Sequence, residues 1–326
     1  MNKYHVIRYS PLYYNIWNDF VGNAKNATFL FHRDFIDYHK ERFVDSSVLI
    51  FKEETLIALM PANSNQDKVF SHLGLSYGGL VLNKTIEFKD VLESVKALLI
   101  YFYKNGIKKI QFKLLPKIYH LLPSDEIDYL LFKLKARIIR RDLSNTIDNF
   151  NRLEIKDKNR IRGLKRAIKN GLKIKEVDHF EAFWNTILIP NLNEKHYTKP
   201  VHSLEEIESL KKNFPNNIRQ FNVYKEKNIV AGVTVFETNK VAHVQYISAN
   251  QQKQQLGSLD LIFDYLINQE FKNKPYFDFG ISNEDQGKQV NFGLMYWKES
   301  FGGRSIVHDF YEINVANYYL LESTFI

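Results

Sequence analysis

Apolar residues recur along this chain with two periods. In "FKDVLESVKALLIYFYKNG" (Phe88 to Gly106) they return every three or four residues, which predicts one long helix. Gly106 after Asn105 supplies its stop. "NATFLFHRDFIDYHKERF" (Asn26 to Phe43) carries Phe31, Phe35, Tyr38 and Phe43 at near-helical spacing and predicts a second helix. "SDEIDYLLFKLKARIIR" (Ser124 to Arg140) predicts a third, with a Ser or Asp cap. Between them lie extended runs: "SSVLIFKEETLIALMPAN" (Ser46 to Asn63) folded about a Lys-Glu-Glu turn, the Gly-rich "VFSHLGLSYGGLVLN" (Val69 to Asn83), and "KKIQFKLLP" (Lys108 to Pro116).

The second half repeats the pattern. A basic helix carries Ile161, Leu164 and Ile168 on one face. Helices follow over Phe180 to His196 and Ser203 to Pro215, the latter opened by a capping box of Ser203 and Glu206. Residues 218–250 predict three antiparallel strands with turns at 225–228 and 238–240. A helix over Ser258 to Phe271 and a strand over Tyr276 to Ser282 complete it. Each half thus has a helix, antiparallel strands, a long helix and one more strand. That order predicts a duplicated α/β domain of the α+β kind, each copy a mixed, mainly antiparallel sheet flanked by helices. The boundary is expected near residue 150, giving domains 1–150 and 151–326.

Composition narrows the chemistry. A chain of 326 residues is long for one core, so two domains fit. Cysteine is absent, which excludes disulfides, Cys-ligated metals and a thiol nucleophile. The ten histidines show none of the spacings that zinc sites use, so no metal is expected. "MNKYHVIRYS" has no apolar region, and the longest apolar run (Ala97 to Tyr103) is far below the roughly 18 residues of a membrane span. The expectation is a cytoplasmic protein, with a peripheral place on the inner membrane left open by its charge. Net charge is +8, and Lys156 to Lys175 alone holds nine Lys or Arg against one Asp, 9 − 1 = +8. Such a block suits a polyanion: nucleic acid, nucleotide, phosphorylated lipid or an anionic membrane surface; a solvated helix is the plain alternative.

Polar groups that could carry chemistry gather after the three strands. Strict alternation in "VAHVQYISAN" puts His243, Gln245 and Ile247 on one face. His243 is the titratable group best suited to proton transfer there. The following "QQKQQLGS" presents Gln254 and the backbone of Gly257 and Ser258 at a helix mouth, an arrangement that attracts phosphate. Asp278 points away from its Phe neighbours in "FDFGIS" and can orient a base or an amine. Lys298, before the Phe-Gly-Gly turn, can pair with a phosphate or a carboxylate. In the first half Tyr38, His39 and Arg42, with His72 and Tyr77 near two glycines, form a candidate binding set. Arg160 and Arg162 head the basic block.

These stretches carry a resemblance. Gln254-x-x-Gly257 resembles the Gln/Arg-x-x-Gly-x-Gly/Ala loop of GNAT acyltransferases, although Leu259 stands where that pattern has Gly or Ala. "WKESFGGRSIVHDFYEI" (Trp297 to Ile313) resembles the C-terminal signature of Fem-type transferases, and "NRIRGLKRAIKNGLKI" (Asn159 to Ile174) their basic segment. "FHRDFIDYHKERFVDSS" and "SHLGLSYGGLVLN" resemble Fem-like proteins of surface-polysaccharide assembly. The resemblance implies two tandem GNAT-like domains and acyl transfer. It implies an acyl-CoA donor, acetyl-CoA first among them, held in the second domain by Gln254, Gly257, Ser258 and Lys298, with His243, Gln245 and Asp278 as the catalytic set. It implies an acceptor held in the first domain by Tyr38, His39, Arg42, His72 and Tyr77, with Arg160 and Arg162 adding charge. The acceptor would be a nucleotide-sugar, a lipid-linked saccharide or a peptidoglycan precursor. Two alternatives stay open: a Fem-type transferase using aminoacyl-tRNA, and a ligand-binding protein on a degenerate fold.

Overall fold

The computed structural model describes residues 3–326. Its contacts divide the chain into two compact units: residues up to Asp142 with Asp285–Lys288 and Val307–Ile326, and Leu143–Glu284 with Gln289–Ile306. The change of unit at Asp142 falls before the expected boundary at residue 150, and the last strand returns to the first unit. Sequence periodicity carries no record of such a return, because it depends on pairing between residues far apart in the chain.

The first unit holds a four-stranded antiparallel sheet, ordered β1 (Tyr4–Arg8), β3 (Val48–Lys52), β4 (Thr55–Met60) and β7 (Val81–Leu82). Its other strands are β2 (Val44–Asp45), β5 (Asn63–Asn65), β6 (Lys68–Phe70) and β8 (Lys109–Lys113). β8 pairs in parallel with β6 and antiparallel with Phe310–Asn314 of β17 (Arg304–Asn314). The helices are α1 (Tyr14–Asn23), α2 (Arg33–Ile36), α3 (Phe88–Lys104) and α4 (Glu126–Lys133). α3 forms as its periodicity predicts. It buries Leu92, Val95, Leu98 and Leu99 against Val48, Ile50, Ala58 and Met60. Each such side chain contributes roughly 1.5–3 kcal/mol through apolar area removed from water.

Two expected helices differ. Residues 26–43 break into the short segments Phe29–Phe31, Arg33–Ile36 and Asp37–Arg42, because His32 takes an extended conformation between the first two. The run 124–140 is helical only to Lys133. Lys135 turns left-handed at φ 55°, and from Arg137 the chain becomes the twelve-residue strand β9 (Arg137–Asp148).

The second unit follows β10 (Lys173–Val177), β11 (Ile218–Lys225), β12 (Asn228–Glu237), β13 (Val241–Ala249), β14 (Tyr276–Ile281) and the end of β9, in that order. All neighbours are antiparallel except β13 and β14. Its helices are α5 (Lys158–Lys169), α6 (Glu181–Phe183), α7 (Ile189–His196), α8 (Leu204–Asn213), α9 (Lys253–Leu256), α10 (Ser258–Tyr265) and α11 (Phe292–Glu299). A π-helical turn, Trp184–Leu188, joins α6 to α7. A two-stranded ribbon, β15 (Asn283–Glu284) with β16 (Gln289–Val290), precedes α11. The capping box of Ser203 and Glu206 starts α8. One sheet face packs on α10 through Val233, Val244, Phe263, Phe277 and Phe279. No helix among the described residues is long and apolar enough to cross a membrane.

Candidate functional site

β13 and β14 form a fork. They pair in parallel over only Val241–His243 and Tyr276–Asp278. Beyond that, β13 continues to Ala249 along β12 while β14 bends away through Gly280, at φ 77°. The buried ammonium of Lys298 donates to the carbonyl oxygens of Gly280 and Ile281, at 2.7 Å each, and so satisfies this irregular segment. Burial lowers its pKa to about 8, against a smaller upward pull from Asp278. Lys298 is therefore a brace of the fork and has two of its protons committed there.

At the crotch of the fork stand His243 and Asp278, partners in register. His243 Nδ1 lies 2.9 Å from Asp278 Oδ2. Asp278 is buried, and its Oδ1 accepts from Ser144 Oγ at 2.5 Å, the Gly280 amide at 3.0 Å and Thr146 Oγ1 at 3.2 Å. A carboxylate only accepts, so Nδ1 of a neutral His243 carries the hydrogen and Nε2 the lone pair. That is the arrangement in which a histidine serves as a base, oriented by its carboxylate. Asp278 lies opposite Phe277 and Phe279 because the strand alternates.

Gln245 departs from the expected alternation. Val235 pairs with Val244 and Thr234 with Tyr246, which leaves Gln245 as the extra residue of a β-bulge. Before the bulge Ala242 and Val244 face the α10 core; after it Ile247 and Ala249 do. His243 therefore shares its face with Tyr246 and Ser248, and Ile247 lies on the other. The Gln245 Oε1 atom is buried with no hydrogen-bond partner among the described residues. Tyr246 bonds His202 Nδ1 at 2.6 Å, and Ser248 accepts from Asn191 at 2.8 Å.

A cavity of about 430 Å³ opens at the far end of β13. Its lining includes Arg160, Asn191, Ser248, Lys253, Gln254, Leu259 and Trp297. His243 is not in the lining, and four strand residues lie between it and Ser248, which puts the two roughly 15 Å apart along the chain.

The helix mouth at Gly257 and Ser258 is differently built from the expectation. Gly257 caps α9 at φ 70°, and a Cβ on it would collide with the carbonyl oxygen of Gly163 in α5. The close backbone approach that its glycine permits is thus made by a helix of the same unit. Ser258 is fully buried, and Asp260 sits in the first turn, paired with Arg160 at 2.5 Å. Desolvation raises the Asp260 pKa, while Arg160 opposes that. Arg160 is consequently an interior ion-pair member, whereas Arg162 is exposed. A second cavity of about 430 Å³ lies beyond Arg160, lined by Leu153, Ile161, Leu164, Asp264 and Phe301.

The first-half set does not come together as a polar binding surface. Tyr77 is buried and donates to Thr28 Oγ1 at 2.9 Å. His39 and His72 are buried edge to face, centroids 5.2 Å apart, since Gly74 passes directly against the His39 ring. Tyr38 is half-buried against His39, and Arg42 lies exposed 5.9 Å from the Tyr38 ring. Among the described residues no cluster of three His, Asp or Glu could hold a metal. Ser144, Thr146, Asn191 and His202 were not singled out in the sequence. Ser144 and Thr146 sit at alternate positions in "DLSNTID", a strand signal that the helical reading of residues 124–140 left unused.

No protein-family model matches the chain, and no curated protein matches it. Solved structures do. FemX superposes with a TM-score of 0.64 at 11% identity, covering 97% of this chain and 99% of that one. L-PGS from Bacillus licheniformis gives 0.59 at 12% identity, over 96% and 94%. A tandem GNAT protein from the clavulanic acid biosynthesis pathway gives 0.50 at 9%, over 96% and 98%. At such identities the likeness concerns the fold: this chain has the Fem-like, tandem GNAT architecture.

Proposed function

We propose that this protein is an acyltransferase, with the chemistry in its second unit. The observation that carries the reading is the His243–Asp278 pair at the crotch of the β13–β14 fork. Acyl transfer to an amine needs a proton acceptor near the nucleophile and a stabilised oxyanion. His243, oriented by Asp278, supplies the first: Nε2 takes the proton as the nitrogen attacks the acyl carbon, and returns it to the leaving group. The peptide of Gln245, outside the ladder in the bulge, is the nearest backbone candidate for the second. The distance between the cavity and His243 favours an elongated donor. Acyl-CoA fits that demand, with Lys253 and Gln254 at the cavity for its phosphates and its acyl end at the fork. The acceptor proposed is an amine or hydroxyl of a cell-envelope sugar or of its nucleotide- or lipid-linked precursor.

A second donor has its own support. Phe292 and Tyr296 stack in the open on α11, centroids 6.3 Å apart, and Tyr296 bonds Asp157 at the start of the basic helix α5. Exposed rings beside cations suit the unpaired end of an aminoacyl-tRNA.

The test is single-turnover transfer from labelled acetyl-CoA or aminoacyl-tRNA to amino-sugar acceptors. His243→Ala and Asp278→Asn should each slow transfer by about 10²-fold or more with donor affinity retained. The double variant should be no slower than the worse single, since the two act as one unit. Unchanged rates in either single variant would remove the pair from the mechanism. Calorimetry decides the donor: no heat with coenzyme A would discard that reading in favour of aminoacyl-tRNA.

A further inference from the structure

The outer face of α5 takes no part in the proton transfer above, and it sets exposed isoleucines beside a row of cations. The inner side is made of Gly163 and Ala167, which lets α5 lie close to α10. That packing leaves two of the three apolar stripe residues outward, Ile161 42% and Ile168 64% exposed, while Leu164 stays half-buried. At 3.6 residues per turn, Lys158, Arg162, Lys165 and Lys169 fall within about 60° of one another around the helix, beside the two isoleucines. All four cations are exposed, and no acidic residue occurs between Lys158 and Lys169.

We propose that α5 docks this protein on an anionic lipid bilayer, with Ile161 and Ile168 entering the acyl boundary and the four cations meeting lipid phosphates. Cations alone would suit any polyanion. The isoleucines decide between them. A nucleic acid presents phosphates, sugars and flat bases, and an exposed aliphatic side chain gains little from these. A bilayer surface rewards both halves of the face: apolar side chains leave water, and lysines stay at headgroup level with their stems buried. Near an anionic surface each lysine is worth about fivefold in binding.

The experiment is flotation of the full chain with vesicles made of equal parts phosphatidylglycerol and phosphatidylcholine, against vesicles of phosphatidylcholine alone. Binding is expected only to the anionic vesicles. Ile161→Ser with Ile168→Ser keeps every charge and should weaken binding about tenfold; Arg162→Glu with Lys165→Glu should abolish it. Because these positions are exposed, thermal melts should match the parent protein. Ile168→Trp adds a second reading, a blue shift of emission when anionic vesicles are added. Failure of the parent protein to float, or serine variants that float like the parent, would overturn the proposal. So would tight binding of a short RNA duplex that the serine substitutions leave unchanged and that vesicles do not displace.

Discussion

Gly163 in α5 and Gly257 at the start of α10 meet backbone to backbone. A Cβ on Gly257 would run into the Gly163 carbonyl oxygen, and a Cβ on Gly163 would run into the Asp260 carboxylate. The contact seats α5 over the mouth of α10 and buries the Arg160–Asp260 ion pair beside it.

Gly257→Ala should therefore destabilise the protein by about 2–4 kcal/mol. Roughly 1 kcal/mol comes from the left-handed backbone and the rest from overpacking against α5. Denaturant unfolding measures this. A loss under about 0.5 kcal/mol would show that α5 yields freely, and would reopen the helix mouth as a ligand site.

Lys298 gives a stability signature at high pH. Its folded pKa of about 8 lies below the value near 10.4 of an unfolded chain. Between those values the unfolded state binds more protons, so unfolding free energy rises with pH across that window, by up to about 3 kcal/mol from this group. Lys298→Met should flatten part of that rise; Lys113, also lowered to about 8 by burial, supplies another part. At neutral pH the same substitution should cost about 1–3 kcal/mol, because two carbonyl oxygens at the fork lose their donor. Unfolding curves from pH 7 to 10 for parent and variant settle the matter. Identical slopes would mean that Lys298 is not desolvated.

His39 and His72 act in the opposite range. Burial lowers His39 to about 4, with Arg42 adding to the effect. It lowers His72 to about 3, helped by His39, Arg33 and Lys113 and opposed by Asp45. Their stabilising contribution is complete above about pH 6.5 and is lost as the pH falls below that, since the unfolded state takes up protons that the folded state refuses. His39 accounts for about 3 kcal/mol once the pH is carried below 4, and His72 for about 5 kcal/mol once it is carried below 3. His39→Phe keeps an aromatic ring against Phe43 and His72, and should reduce the fall in stability between pH 6.5 and 4. A fall of unchanged steepness would assign the acid sensitivity elsewhere.

Much of the fold is written in local pattern. α3, the three strands of residues 218–250, the capping box of Ser203 and Glu206 and the alternation that isolates Asp278 all follow from spacing, because each depends on neighbours a few residues away. His243 and Asp278 stood out as candidate polar groups for the same reason. What tertiary structure alone decided is where those elements meet. The pairing of His243 with Asp278 needs β13 and β14 side by side for three residues and then apart. The bulge at Gln245 depends on the register of β12. The inward roles of Lys298, Tyr77, His39 and Arg160 depend on which groups pack over them. A residue type announces what a side chain can do; whether it faces water, a ligand or another helix is set by partners distant in the chain, and no local period encodes them.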